Sequence, residues 1–164
     1  MKKQGFSLIE LMVAVVIMGT LAAIAVPKLF GMIDKAKVSE ISFSAGTYIK
    51  LQETYIHEYG KGGSWQTIGY RSPAGNSSDK ASTTTFEYDA TQSTYNWSVK
   101  SIVKLNNCAI ANTWFINFSY ENGLNEVKFW TSADDVDNCI QSLTPNFKLL
   151  SNSATPITSP GSIN

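Results

Sequence analysis

The sequence predicts an α+β chain: one long N-terminal helix, from about residue 6 to residue 59, packed by its second half on a four-stranded antiparallel sheet, with a disulfide-tied C-terminal region. Three observations predict it. From Phe6 to Val26 the only polar residues are Ser7, Glu10 and Thr20, and a helical pattern continues beyond this run. After residue 82 the hydrophobic period changes from three-to-four to two, the signature of strands. Two cysteines, Cys108 and Cys139, lie in the second half, where a bridge would fasten the C-terminal segment.

The apolar run has about the length that a helix needs to cross a ~30 Å hydrocarbon core. Lys2 and Lys3 before it, with Ala23-Ile24-Ala25 near its end, also fit a secretory signal peptide cut after Ala25. A plain membrane anchor is the other simple reading. Glu10 argues against both, because an ionisable group inside an apolar span is costly and is normally kept with a partner. Lys2 and Lys3 are about two helical turns away. A cut after Gly5 would instead place a new α-amino group on Phe6, four residues from Glu10.

Gly5-Phe6-Ser7-Leu8-Ile9-Glu10 after a short basic leader resembles the N-terminus of type IV prepilins, shared by pilins, type II secretion pseudopilins and competence pseudopilins. The resemblance covers Met1 to about Lys37, and beyond that it is architectural. It implies that Gly5 precedes the prepilin-peptidase cut, that Phe6 becomes the N-methylated first residue, and that Glu10 is the acidic residue used in assembly. Gly19 and Pro27 fall where family members often loosen or bend this helix, and Ser7 stands where Thr is common. The implied organisation is a cleaved leader over 1–5, a membrane anchor and filament core over 6–27, a head over 28–150 in the type IV pilin fold, and a flexible tail over 151–164. The implied function is that of a structural subunit of a type IV pilus, serving adhesion, motility or DNA uptake through the filament. Its implied partners are like subunits in a homopolymer, prepilin peptidase, the pilus assembly platform and the inner membrane before assembly. The alternative within the family is a pseudopilin forming a periplasmic pseudopilus for type II secretion.

Orientation rests on two supports. Lys2 and Lys3 favour a cytoplasmic N-terminus, but Lys28, Lys35 and Lys37 flank the other end of the run and weaken that argument. Cys108 and Cys139 favour an exported head, since two cysteines in a small exported domain usually pair. Two buried free thiols are the competing reading. Taken with the resemblance, these imply a precursor in the inner membrane with a periplasmic head, and an assembled subunit in an extracellular filament.

Past Pro27, Ile33, Val38, Ile41, Ala45, Tyr48, Ile49, Ile56 and Tyr59 recur at helical spacing between charged residues, and Gly60, Gly62 and Gly63 supply a stop. Ser64 to Ser82 reads as a long connecting loop, partly pinned by Trp65, Ile68 and Tyr70. Thr83 to Tyr88, Tyr95 to Val103, Trp114 to Tyr120 and Glu126 to Thr131 read as strands.

Asn122-Gly123 is the strongest short hairpin signal. A two-residue turn there sets Phe118 opposite Val127, Ile116 opposite Phe129 and Phe115 opposite Trp130. The core face would then hold Trp114, Ile116, Phe118, Tyr120, Val127 and Phe129. Phe115 and Trp130 would form an outward aromatic pair. Such a pair could be a subunit contact, a platform for a surface polysaccharide, or surface covered by the chain's own C-terminal segment.

Asp134, Asp135 and Asp137 could supply oxygens to calcium, which type II secretion major pseudopilins bind near their C-terminal end. Yet Val136, Cys139, Ile140 and Leu143 follow helical spacing, and Ser132 with Asp135 resembles a capping box. A short helix over 132–143 is therefore expected, with no EF-hand spacing and no cofactor. It would aim Cys139 at Cys108. From Ser151 onward the chain is small and polar with Pro156 and Pro160, so an extended or mobile tail is expected.

Other classes find little support. Lys plus Arg and Asp plus Glu are 13 each, and loss of Lys2 and Lys3 would leave 11 cations against 13 acids, so no basic footprint for specific nucleic-acid binding exists. The chain is not expected to be an enzyme: its one histidine, His57, falls near the end of the long helix, and no nucleophile motif or phosphate-cradling loop appears. A membrane-tethered carbohydrate-binding module using Phe115 and Trp130 is the reading of a different class. Sequons at Asn76, Asn96 and Asn117 are read as compositional.

Overall fold

A computed structural model describes residues 5–75, 80–90, 97–106, 108–120, 126–135, 139 and 141–152. Its first element is helix α1 (Leu8–Tyr59), 52 residues long and unbroken at Pro27. Proline there costs the helix the bond that an N–H would make to the carbonyl four residues back. The helix ends where Gly60 takes a left-handed conformation (φ 66°) and its N–H closes on the Ile56 carbonyl at 2.7 Å, a turn that favours glycine.

Five strands follow: β1 (Lys80–Ser82), β2 (Phe86–Asp89), β3 (Trp97–Ser101), β4 (Thr113–Tyr120) and β5 (Val127–Ala133). They form one antiparallel meander in sequence order. The second half of α1 lies on one face of it. Val38, Ile41, Ala45, Tyr48, Gln52 and Ile56, spaced three and four apart, become buried, with Ser44 beside Ala45. Facing them are Phe86, Tyr88, Trp97, Val99, Trp114, Ile116 and Phe129. Tyr48, Tyr70, Tyr88 and Trp97 pack as an aromatic cluster, and Trp97 Nε1 donates to the Tyr70 hydroxyl at 3.0 Å. Trp65, Ile68 and Tyr70 are buried, so the loop after the helix is pinned as expected.

The sheet departs from expectation in three places. β1 is a strand within the stretch read as loop. It pairs with β2 because Thr83 turns the chain tightly, its Oγ1 accepting the N–H groups of Thr85 and Phe86 at 3.3 and 3.0 Å. The β4–β5 register is shifted by two residues: Phe118 faces Phe129, Asn117 faces Trp130, and Phe115 faces Ser132. The last pair is Tyr120 with Val127, so the connection is longer than the two-residue turn expected at Asn122-Gly123, which lies outside the described residues. A shift of two keeps every side chain on its face. The expected core face therefore stands except at its end, where Tyr120 is 40% exposed, while the expected Phe115–Trp130 pair does not form.

The third departure concerns the helix expected over 132–143. Ser132 belongs to β5, and the strand end is closed by a pair of bonds: Asp134 N–H to the Thr113 carbonyl, and Thr113 N–H to Asp134 Oδ2, both 3.1 Å. Strand pairing overrides the local capping pattern. Helical backbone is described at Cys139 and in helix α2 (Gln141–Leu143), residues 136–138 and 140 lying outside the described residues, and a 3-10 turn follows at Phe147–Leu150. Leu143 and Phe147 are buried, and Trp114 Nε1 donates to Thr144 Oγ1 at 3.1 Å. Ser151 and Asn152 are not a free tail. Asn152 accepts the Phe129 N–H at 2.6 Å and donates to the Val127 carbonyl at 2.9 Å, while Ser151 Oγ donates to the Phe129 carbonyl. They cover the outer edge of β5. Residues 153–164 lie outside the described residues.

Candidate assembly site on the N-terminal helix

The helix begins two residues after the Gly5–Phe6 peptide bond. Ser7 is its N-cap, in extended conformation, and Glu10 is the third helical residue. Glu10 Oε2 accepts the Ser7 backbone N–H at 3.0 Å, satisfying one of the donors that a helix start leaves open. Ser-x-x-Glu is the sequence sign of such a box, and it was legible in Ser7-Leu8-Ile9-Glu10. The reading of Glu10 as a group in need of a partner amine missed it.

This geometry has two chemical consequences. Gly5 and Phe6 precede the helix, Phe6 is 88% exposed and nothing stands within 4 Å of a Cβ built on Gly5, so the bond between them is open to a protease. A cut there would also create an ammonium group one residue from the amide that Glu10 already holds. The carboxylate is thus positioned at the new chain end.

From Leu8 to Ile33 no residue is buried; only Ala14 and Gly31 are even half-covered. Leu11, Met18, Leu21, Ile24, Leu29 and Phe30 all stand more than half exposed. The stretch is long and apolar enough to cross a membrane, and none of it is buried within the protein. A surface of this kind in water would be a liability, so it needs lipid or other helices around it.

The remaining site residues separate. Cys108 and Cys139 form a disulfide with Cα atoms 4.9 Å apart, as expected, tying the β3–β4 connection to the segment before α2. The Asp34 carboxylate reinforces that connection from the helix, accepting the Asn106 N–H at 2.9 Å, a contact that spacing alone did not reveal. Phe115 is 5% exposed and Trp130 is half-buried, so Phe115 does not stand open as a contact residue. Asn117 is 4% exposed and donates to Ser132 Oγ at 3.0 Å, which removes it as an accessible sequon; Asn76 and Asn96 lie outside the described residues. Of the calcium candidates, Asp134 binds the Thr113 amide, Asp135 is half-buried, and Asp137 is outside the described residues. Among the described residues no group of three potential metal ligands gathers. His57 is exposed.

Residues 1–26 match the family model for the prokaryotic N-terminal methylation motif, the class III signal of type IV pilins and pseudopilins. No curated protein and no solved structure matches the chain.

Proposed function

We propose that the chain is the structural subunit of a type IV pilus, made as a membrane-held precursor, cut between Gly5 and Phe6 by prepilin peptidase, methylated on Phe6, and polymerised through α1. The observation that carries this reading is the conjunction of the methylation motif over residues 1–26 with an apolar helix that leaves the head unburied from Leu8 to Ile33. In the membrane this segment is the anchor. In a filament the same segments pack together, replacing lipid by neighbouring helices. Glu10 then meets the Phe6 amine of an adjacent subunit, because an isolated charge in such a shaft would cost far more than a pair. The pair sets register more than it adds stability.

Mass spectrometry of the native membrane or filament fraction tests the processing. A chain beginning at methylated Phe6 is expected, and one beginning at Val26 would end the filament reading. Assembly is tested by Glu10→Gln, which is expected to insert normally and to give few filaments; a normal yield would remove Glu10 from assembly. Long surface fibres that vanish on deletion support the pilus, whereas loss of exported enzymes without fibres would point to the secretion pseudopilus.

A further inference from the structure

The base of the head, where α1 leaves it, carries groups to which polymerisation assigns no role. Asp34 marks the place: its Oδ2 holds the Asn106 N–H, and its Oδ1 accepts Lys37 Nζ at 3.2 Å. The β3–β4 connection is thereby fixed beside the helix. On it stand two exposed isoleucines, Ile110 at 62% and Ile102 at 40%. Lys104 of the same connection is exposed, as are Lys28 and Lys35 on the helix. Among the described residues, the ion pairs of the chain involve Lys37, Lys80, Lys100 and Lys128 and none of these three.

Height along α1 decides what this surface meets. Asp34 lies eight residues past Val26, about 12 Å along the axis. Between them Leu29, Phe30, Met32 and Ile33 are all exposed. With Phe6 to Val26 filling the ~30 Å core, these four enter the headgroup layer, which adds roughly 5–8 Å on each side. The β3–β4 connection stands just above it, and a tilt of about 20°, ordinary for such helices, brings one side of the base down. Lys28 and Lys35 at the foot of the helix and Lys104 on the connection are cations that an anionic surface attracts.

We propose that the β3–β4 connection is a membrane-docking loop that seats Ile110 and Ile102 in an anionic phospholipid headgroup layer while the subunit waits in the membrane. Apolar side chains beside cations are the chemistry of interfacial binding. Tethering by α1 lets a weak contact persist, since the second binding event is intramolecular. The inference rests on α1 spanning the membrane and not on polymerisation. It also assigns a role to Lys28 and Lys35, which otherwise conflict with the usual charge asymmetry of a span.

The test is amide hydrogen exchange of the full chain in nanodiscs of phosphatidylglycerol with phosphatidylethanolamine, compared with phosphatidylcholine alone. Several-fold slower exchange across residues 102–112 in the anionic discs is expected, lost in Ile110→Ser combined with Lys104→Gln. Unchanged protection of β2 to β4 in that variant shows that the head still folds. Equal exchange in the two bilayers overturns the docking loop while leaving the span intact. A chain that fails to float with vesicles overturns the span, and the docking loop with it.

Discussion

Gly63 shows how closely the top of the head is fitted. A Cβ there would stand 2.6 Å from Ile68 Cγ2 and 2.9 Å from the Tyr55 ring, and the Gln52 amide, with its orientation assigned from these partners, binds both the N–H and the carbonyl of Gly63 at 3.0 and 3.1 Å. Gln52 is fully buried, and these bonds are the reason a polar residue is tolerated there. Gly63→Ala is expected to destabilise the head by about 1–3 kcal/mol, read from the denaturant midpoint. The buried phenols supply a second expectation. Burial pushes Tyr48 and Tyr88 well above the ordinary phenol range and Tyr70 up to about 12; for Tyr88 the hydrogen bond to Glu40 at 2.7 Å adds to it. Below about pH 10 these phenols are neutral in both states. Above it the unfolded chain loses protons that the folded one keeps, so stability falls as pH rises from about 10 towards 12. Denaturant midpoints measured at about pH 9 and pH 11 should differ, the higher pH giving the lower midpoint, with about 1.4 kcal/mol for each phenol per pH unit above 10.

Among the elements, the disulfide joins the β3–β4 connection to the chain just before α2. With a sequence separation of 31, the bridge should stabilise the head by about 3–4 kcal/mol in the chain-entropy model. Cys108→Ser with Cys139→Ser should show that loss in urea unfolding, and an unchanged midpoint would mean that packing of Leu143 and Phe147 alone suffices. How much of this was legible differs by element. Helix α1, its glycine stop and its buried stripe were readable, because a 3.6-residue period over many turns has no competing interpretation. The core face of β4 and β5 was readable for the same reason with period two. Their register was not: the preference of Asn-Gly for a tight turn is local, whereas Tyr120 paired with Val127 and Phe118 with Phe129 is settled by packing across the sheet. Ser132 with Asp135 misled in the same way, since Asp134 could be recognised as closing a strand only once Thr113 was beside it. At the N-terminal site, Gly5, Phe6 and Glu10 were legible as a motif, but the local role of Ser7 was overlooked.

For the whole molecule, the division between a bare apolar stalk and a compact head means that stability and assembly are carried by different halves of one helix. Val38 to Ile56 anchors the fold, while Leu8 to Ile33 contributes nothing to the head's burial. The two outer edges of the sheet are handled differently. β1 is three residues long and bears Lys80, which pairs with Glu87 at 3.1 Å, while the β5 edge is covered at Val127 and Phe129 by Ser151 and Asn152. In detergent that covers the stalk, a chain ending at Leu150 should keep its fold and yet self-associate more than the full chain, which light scattering would reveal; equal scattering would show that the β5 edge needs no cover. In a polymer, heads stand side by side at high effective concentration, the condition in which exposed strand edges join into continuous sheets. By closing β5 with its own residues, each subunit leaves contact between heads to side chains, so neighbours can slide or separate without breaking a backbone ladder.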